Sequence, residues 1–250
     1  MEPTQNQTNP AIPIAILCGF AMIALAIFFT NKNDAAPISQ GQQIGTTSPE
    51  VVSDSSPRPV DETDYIFGNP NAPIQIIEYS DYECKFCKQF HGTLQQIMSE
   101  YGVSGKVSWI YRQYPLAQLH PAGPKISEAA LCVGDLGDNE AFWKFTDRIF
   151  EERDEETFTN ITRLPQYAVD AGVRLEDYNT CISSGRMQEN VVASVEEGFK
   201  IGARSTPYTV ITVGDQQAVI NGAQSYDMVK GIVKNLIEQI DGTYQPSTGQ

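Results

Sequence analysis

From Ala11 to Phe29 the chain reads AIPIAILCGFAMIALAIFF, apolar throughout and without a charge. At ~1.5 Å per residue, a helix of this length covers the ~30 Å hydrocarbon core of a bilayer. The run exceeds the roughly 7 to 15 apolar residues of a cleavable signal, and the leader, residues 1–10, has no Lys or Arg. The pattern therefore predicts an uncleaved transmembrane anchor over residues 11–30. Residues 31–64 then exchange large apolar side chains for Ser, Thr, Gln, Pro and Asp, the composition of a disordered linker with a reach of about 30 Å.

Beyond the linker the period changes twice. After the turn-rich lead-in Gly68-Asn69-Pro70-Asn71-Ala72-Pro73 comes IQIIEYS, residues 74–80, short and nearly all apolar, which predicts a buried strand. Phe86, Phe90, Leu94, Ile97, Met98 and Tyr101 follow at three- and four-residue steps and predict a helix from about Cys84 to Tyr101. Val107, Trp109 and Tyr111 alternate with more polar neighbours in a second strand that ends near Pro115. Residues 120–202 are helical in pattern, with breaks that leave room for about four or five helices. YTVITV (208–213) and QAVIN (217–221) flank Gly214-Asp215 as a hairpin, and Met228, Val229, Ile232, Val233, Leu236, Ile237 and Ile240 mark a closing helix. The expected fold is an α/β domain over residues 65–241 in the order β-α-β, helical insert, β-β-α, with a flexible tail over 242–250.

Charge narrows the partners. A formal net charge of -14 and a pI near 4.5 repel polyanions, so nucleic acid is not expected as a ligand. Of the five cysteines, Cys18 lies in the apolar run, which leaves Cys84, Cys87, Cys132 and Cys181. Four cysteines allow three pairings; close spacing favours 84 with 87 and so leaves 132 with 181. A domain of this size needs no disulfide scaffold to fold, so the cysteines ask for another explanation.

Cys84-Lys85-Phe86-Cys87 falls where a strand feeds a helix. Unpaired N–H groups and the helix dipole favour a thiolate at that position, which makes Cys84 the nucleophile and Cys87, one turn further in, the resolving thiol. Lys85 adds a cation beside the thiolate. Glu78 lies within an apolar strand, where a carboxyl is costly, and is a candidate proton shuttle for Cys87. The competing reading is a metal-binding or metal-delivery module built from Cys84, Cys87 and His91; the chain has no second C-x-x-C pair to complete a zinc site.

The run GNPNAPIQIIEYSDYECKFCKQF resembles the opening of the DsbA-like branch of the thioredoxin superfamily. IYRQYPLAQLHPAGPKISEAALC is similar to that family's second strand and the start of its helical insert, and Ser205-Thr206-Pro207 to its cis-proline loop. The resemblance spans about residues 64–241 and implies a thioredoxin-like fold with an inserted all-helical domain. It implies that Thr206-Pro207 is cis and that Thr206 offers its backbone to an extended substrate, with Lys85 and Phe86 beside it. It also implies a proton role for Glu78 and a structural disulfide between Cys132 and Cys181.

Lys85 departs from the Pro or Gly that many members carry, which leaves the direction of electron flow open between oxidase, reductase and isomerase. The leading expectation is a monomeric oxidase with no cofactor beyond its redox-active disulfide. It acts on cysteine-containing exported proteins, is reoxidised by an integral membrane quinone-linked partner, and is tethered on the extracytoplasmic side of the cell membrane.

Overall fold

The computed structural model describes residues 56–153 and 158–242. The predicted leader, anchor, most of the linker and the tail beyond Gly242 lie outside the described residues. Among the described residues no helix is long and apolar enough to cross a membrane.

Five strands form one sheet: β1 (Tyr65–Gly68), β2 (Ile74–Ser80), β3 (Val107–Gln113), β4 (Tyr208–Val213) and β5 (Gln216–Asn221), in spatial order β1-β3-β2-β4-β5. β2 pairs parallel with β3, as a strand-helix-strand unit requires, through α1 (Lys85–Tyr101). The remaining pairs are antiparallel. The insert comprises α2 (Gly123–Leu136), α3 (Asn139–Glu152), α4 (Leu164–Asp170), α5 (Leu175–Ser184) and α6 (Gln188–Lys200), and α7 (Tyr226–Ile240) closes the domain.

Alternation along β2 decides what the site faces. Ile77 and Tyr79 join Ile110, Tyr208, Val210 and Ile201 in one apolar cluster, while Ile74 and Ile76 join Trp109, Phe90, Leu94 and the insert's Phe142 and Phe145 in the other. Glu78 has the parity of Ile74 and Ile76, so it points to the face that carries α1 and the cysteines.

Two features extend the sequence reading. The lead-in before β2 contains an edge strand, β1, whose Ile66 exchanges hydrogen bonds with the Asn139 side chain at 2.7 and 2.8 Å, so an amide extends the ladder where no strand continues it. Residues 56–64, assigned to the linker, are docked. Arg58 bonds Asp64 at 2.8 Å and its N–H donates to Glu197 at 2.9 Å. The buried Arg112 bonds the same Asp64 at 2.9 Å; its bond to Glu197 is 2.6 Å. A boundary drawn from missing apolar side chains overlooks a segment held by ionic anchors.

Candidate active site

Cys84 is the N-cap of α1, with extended backbone (φ -82°, ψ 121°). The turn that delivers it from β2 is fastened along its length. Asp81 accepts from the Glu83 N–H at 2.9 Å and the Leu116 N–H at 2.8 Å. The Tyr82 hydroxyl pairs with Thr146 of the insert at 2.9 Å. Glu83 accepts from the Thr159 N–H at 2.8 Å through its carboxylate, and from Arg153 at 2.6 Å through its carbonyl. Such second-layer bonds hold a reactive atom in place at little dynamic cost.

The two thiols are not equivalent. Cys84 is 7% exposed and opens onto a cleft of about 380 Å³; Cys87 is 0% exposed. The Cys84 thiol is lowered from 9.0 to about 5, foremost by a hydrogen bond from the Cys87 thiol, with Thr206 and the Cys87 and Phe86 backbone adding and partial burial opposing. Cys87 is pushed up by burial and then by the neighbouring Cys84. The Asp81 N–H donates to its sulfur at 3.4 Å.

Glu78 is fully buried, and burial raises its carboxyl from 4.5 to about 7. Trp109 Nε1–H donates to its Oε2 at 3.0 Å, a bond that favours the charged form and opposes part of that rise. The negative charge of Glu78 is among the lesser causes that raise Cys87, after burial and Cys84.

Thr206-Pro207 is a cis peptide directly before β4, and the Thr206 carbonyl oxygen lies 3.4 Å from Cys84 Sγ, accepting from the thiol form. Phe86 is 50% exposed on the rim, and the Lys85 ammonium rests 5.1 Å over its ring. Cys132 and Cys181 form a disulfide joining α2 to α5, apart from the Cys84–Cys87 pair.

Cys84, Cys87, Glu78, Lys85, Phe86 and the Thr206-Pro207 loop thus converge, and the 132–181 pair stands away from them. His91, the third ligand of the metal reading, has its Nε2 on Asp147 at 2.7 Å and its ring between Trp109 and Phe150. Among the described residues no three His, Cys, Asp or Glu side chains are grouped to hold a metal ion. Sequence reasoning missed Trp109 as the partner of Glu78, and Asp81, Arg153 and His120 around the cleft. The Trp109 pairing follows from the β2–β3 register, Ile76 opposite Trp109 and Glu78 opposite Tyr111, which periodicity does not supply.

A strand-to-helix dithiol facing a cis-proline loop, on a sheet interrupted by a helical insert, defines the thioredoxin-like class. A family model described as thioredoxin matches residues 60–235, and the chain belongs to that family. Its fold is that of the DsbA type: alpha-DsbA1 of Wolbachia pipientis superposes with a TM-score of 0.61 at 22% identity, over 72% of this chain and 94% of that one. BdbD of Bacillus subtilis superposes with a TM-score of 0.62 at 20% identity, over 72% and 95%. Among curated relatives, a Na(+)/H(+) antiporter NhaA 1 of Mycolicibacterium gilvum is 30% identical over 165 residues, 64% of this chain and 25% of the relative. The chain thus spans about a quarter of such antiporter relatives. A putative protein-disulfide oxidoreductase of Rickettsia typhi is 20% identical over 250 residues, 99% of this chain and 86% of the relative.

Proposed function

We propose that this chain is a thiol-disulfide oxidoreductase that works as an oxidase on cysteine-containing exported proteins. The observation that carries this reading is the inequality of the two thiols, one at a helix start and held near 5, the other fully buried and raised. The name of the Rickettsia typhi relative supports the reaction class.

Stabilising the Cys84 thiolate stabilises the dithiol form and so makes the disulfide a stronger oxidant. Lowering a thiol from 9.0 to about 5 favours the reduced state at pH 7 by on the order of 2 kcal/mol, allowing for solvent on the open side, or ~40 mV for two electrons.

The reaction runs in two exchanges. A substrate thiolate attacks Cys84 Sγ of the Cys84–Cys87 disulfide, the 84–87 bond breaks, and Cys87 leaves with the electron pair and takes a proton from Glu78. A second substrate thiolate then attacks the substrate sulfur of the mixed disulfide and expels Cys84 as thiolate. The substrate gains a disulfide and the enzyme is left with a dithiol. Phe86 and the Thr206 backbone frame the incoming chain, and no cofactor other than the redox-active pair takes part.

Reoxidation falls to an integral membrane quinone-linked partner. The apolar run over residues 11–30 anchors a monomeric enzyme beside it, with the catalytic domain on the extracytoplasmic side.

The test is the reduction potential of the 84/87 couple in the purified full-length chain, together with oxidative refolding of a reduced substrate. The expected potential lies well above thioredoxin's ~-270 mV, with refolding lost in Cys84→Ser. A potential close to thioredoxin's would assign the chain as a reductase, and full activity in Cys84→Ser would remove the oxidoreductase reading.

A further inference from the structure

The cleft beside Cys84 is lined by an imidazole, His120, that is paired with a buried acid behind it, Asp81, and the exchange described above uses neither. Asp81 directly follows β2 and is 0% exposed. Each of its carboxylate oxygens already accepts one backbone N–H, Oδ1 from Glu83 and Oδ2 from Leu116. Its Oδ2 also lies 2.7 Å from His120 Nδ1. With both oxygens acting as acceptors, the third contact is a donation from Nδ1–H, which assigns the tautomer of the uncharged ring and leaves the lone pair on Nε2. Nδ1 faces the buried acid, so the ring's open edge is the Nε2 edge; the His120 side chain keeps 16% of its surface accessible. His120 lines the same cleft as Cys84 and Thr206, its ring 6.1 Å from that of Phe158.

The other ionisable side chains at this cleft, among the described residues, are otherwise engaged. The Glu83 carboxylate accepts from Thr159, the Arg153 guanidinium donates to the Glu83 carbonyl, and the Lys85 ammonium rests on Phe86. His120 is left as the basic group whose acceptor atom is open to a ligand arriving at Cys84.

We infer that His120 is a catalytic residue for the incoming thiol: Nε2 takes the substrate S–H proton as that sulfur attacks Cys84, and Asp81 is the positioning residue that holds the ring in this tautomer. The inference rests on the redox reading above. In the balanced step the substrate S–H bond breaks and the proton passes to Nε2. The substrate S–Sγ84 bond forms, the Sγ84–Sγ87 bond breaks, and the electron pair leaves on Cys87, which Glu78 protonates. The imidazolium returns its proton to solvent before the second exchange.

The need for such a base follows from the substrate. A free cysteine near 8.5 is only about 3% thiolate at pH 7, so deprotonation on the enzyme is worth up to ~30-fold. The benefit shrinks to nothing for thiols already ionised.

The experiment is single-turnover reduction of the disulfide form of the full-length chain, at pH 7, by small thiols whose pKa values run from about 6 to about 8.5. His120→Asn is the variant, because the Asn amide still donates to Asp81 while offering no base. The expected result is a defect of about 10- to 30-fold with the most basic thiols that fades to none with the most acidic. The wild-type series gives a second readout that needs no variant. Its rates per thiolate should rise above the nucleophilicity trend, β of roughly 0.4 to 0.5, as the thiols become more basic. A defect of the same size across the series, no defect at all, or a wild-type series on the ordinary trend each overturns the assignment. A wild-type disulfide that no thiol reduces overturns the underlying redox reading instead.

Discussion

Replacing Glu78 with Gln should make the protein more stable and less active, with the gain confined to one side of a pH boundary. The carboxyl is fully buried and is raised by burial from 4.5 to about 7, so the folded state holds its proton more tightly than the unfolded chain. Stability owed to that proton is fully present below pH 4.5 and is lost as pH rises through 7. The whole loss is on the order of 3 kcal/mol. Gln carries no charge to bury and retains a carbonyl for Trp109 Nε1, so the variant escapes the penalty.

Above pH 8, in the reduced protein, Glu78→Gln is therefore expected to melt about 6 to 12 °C higher than the parent, from roughly 2 to 4 °C per kcal/mol in a chain of this size. Near pH 4.5 the two should melt together. Proton donation to Cys87 is removed at the same time, and general acid catalysis is commonly worth ~10² or more, so exchange should slow by about that factor. Paired melts at the two pH values with a stopped-flow exchange assay test both halves. Equal shifts at the two pH values would show that Gln acts through packing, and an unchanged exchange rate would remove Glu78 from the mechanism.

Thiolate absorbance of the reduced protein should titrate with a midpoint about 5, and that signal should vanish in Cys84→Ser while Cys87 stays silent through neutral pH. Arg112→Met should cost up to about 3 kcal/mol in urea unfolding, because it leaves the buried Asp64 and the partly buried Glu197 with only the more exposed Arg58 as a cation; an Arg112→Met protein as stable as the parent would show that Arg58 alone satisfies both acids. Removing the Cys132–Cys181 bridge opens a loop of 49 residues and should cost ~4 kcal/mol by chain entropy. The Cys84 midpoint should not move with it.

What the sequence revealed, and what it hid, divides along the range of the interactions. Strands at 74–80 and 208–213 and the helix ending at Tyr101 were legible because burial on two faces, or on one helical stripe, leaves a period in the residues themselves. The dithiol was legible from its own spacing. β1 was hidden because four residues beside a turn carry no period, and its ladder partner is β3, with Tyr65 opposite Tyr111, while its open edge is met by Asn139 of the insert. The docked residues 56–64 were hidden because Arg58 and Asp64 look like solvated charges until Arg112 and Glu197 are brought to them. His120 carried no signal of its own in the sequence. Its pairing with Asp81 joins the ends of two loops 39 positions apart, and pattern reading has no term for that.

Burial also decides which sulfur of the oxidised pair reacts, against the preference of the leaving groups. Attack on Cys87 would expel Cys84, the lower-pKa and better leaving thiolate, so leaving-group ability alone favours the wrong sulfur. Cys87 is 0% exposed and Cys84 opens on the cleft, so access selects Cys84 and forces departure of the poorer leaving group. The proton held at Glu78 is then needed at the first step. Once protonated, Cys87 is a weak nucleophile toward the mixed disulfide until that proton is removed. By microscopic reversibility the carboxylate left at Glu78 is the base for the return of Cys87, so in the proposed mechanism the same buried pair controls both its departure and its return.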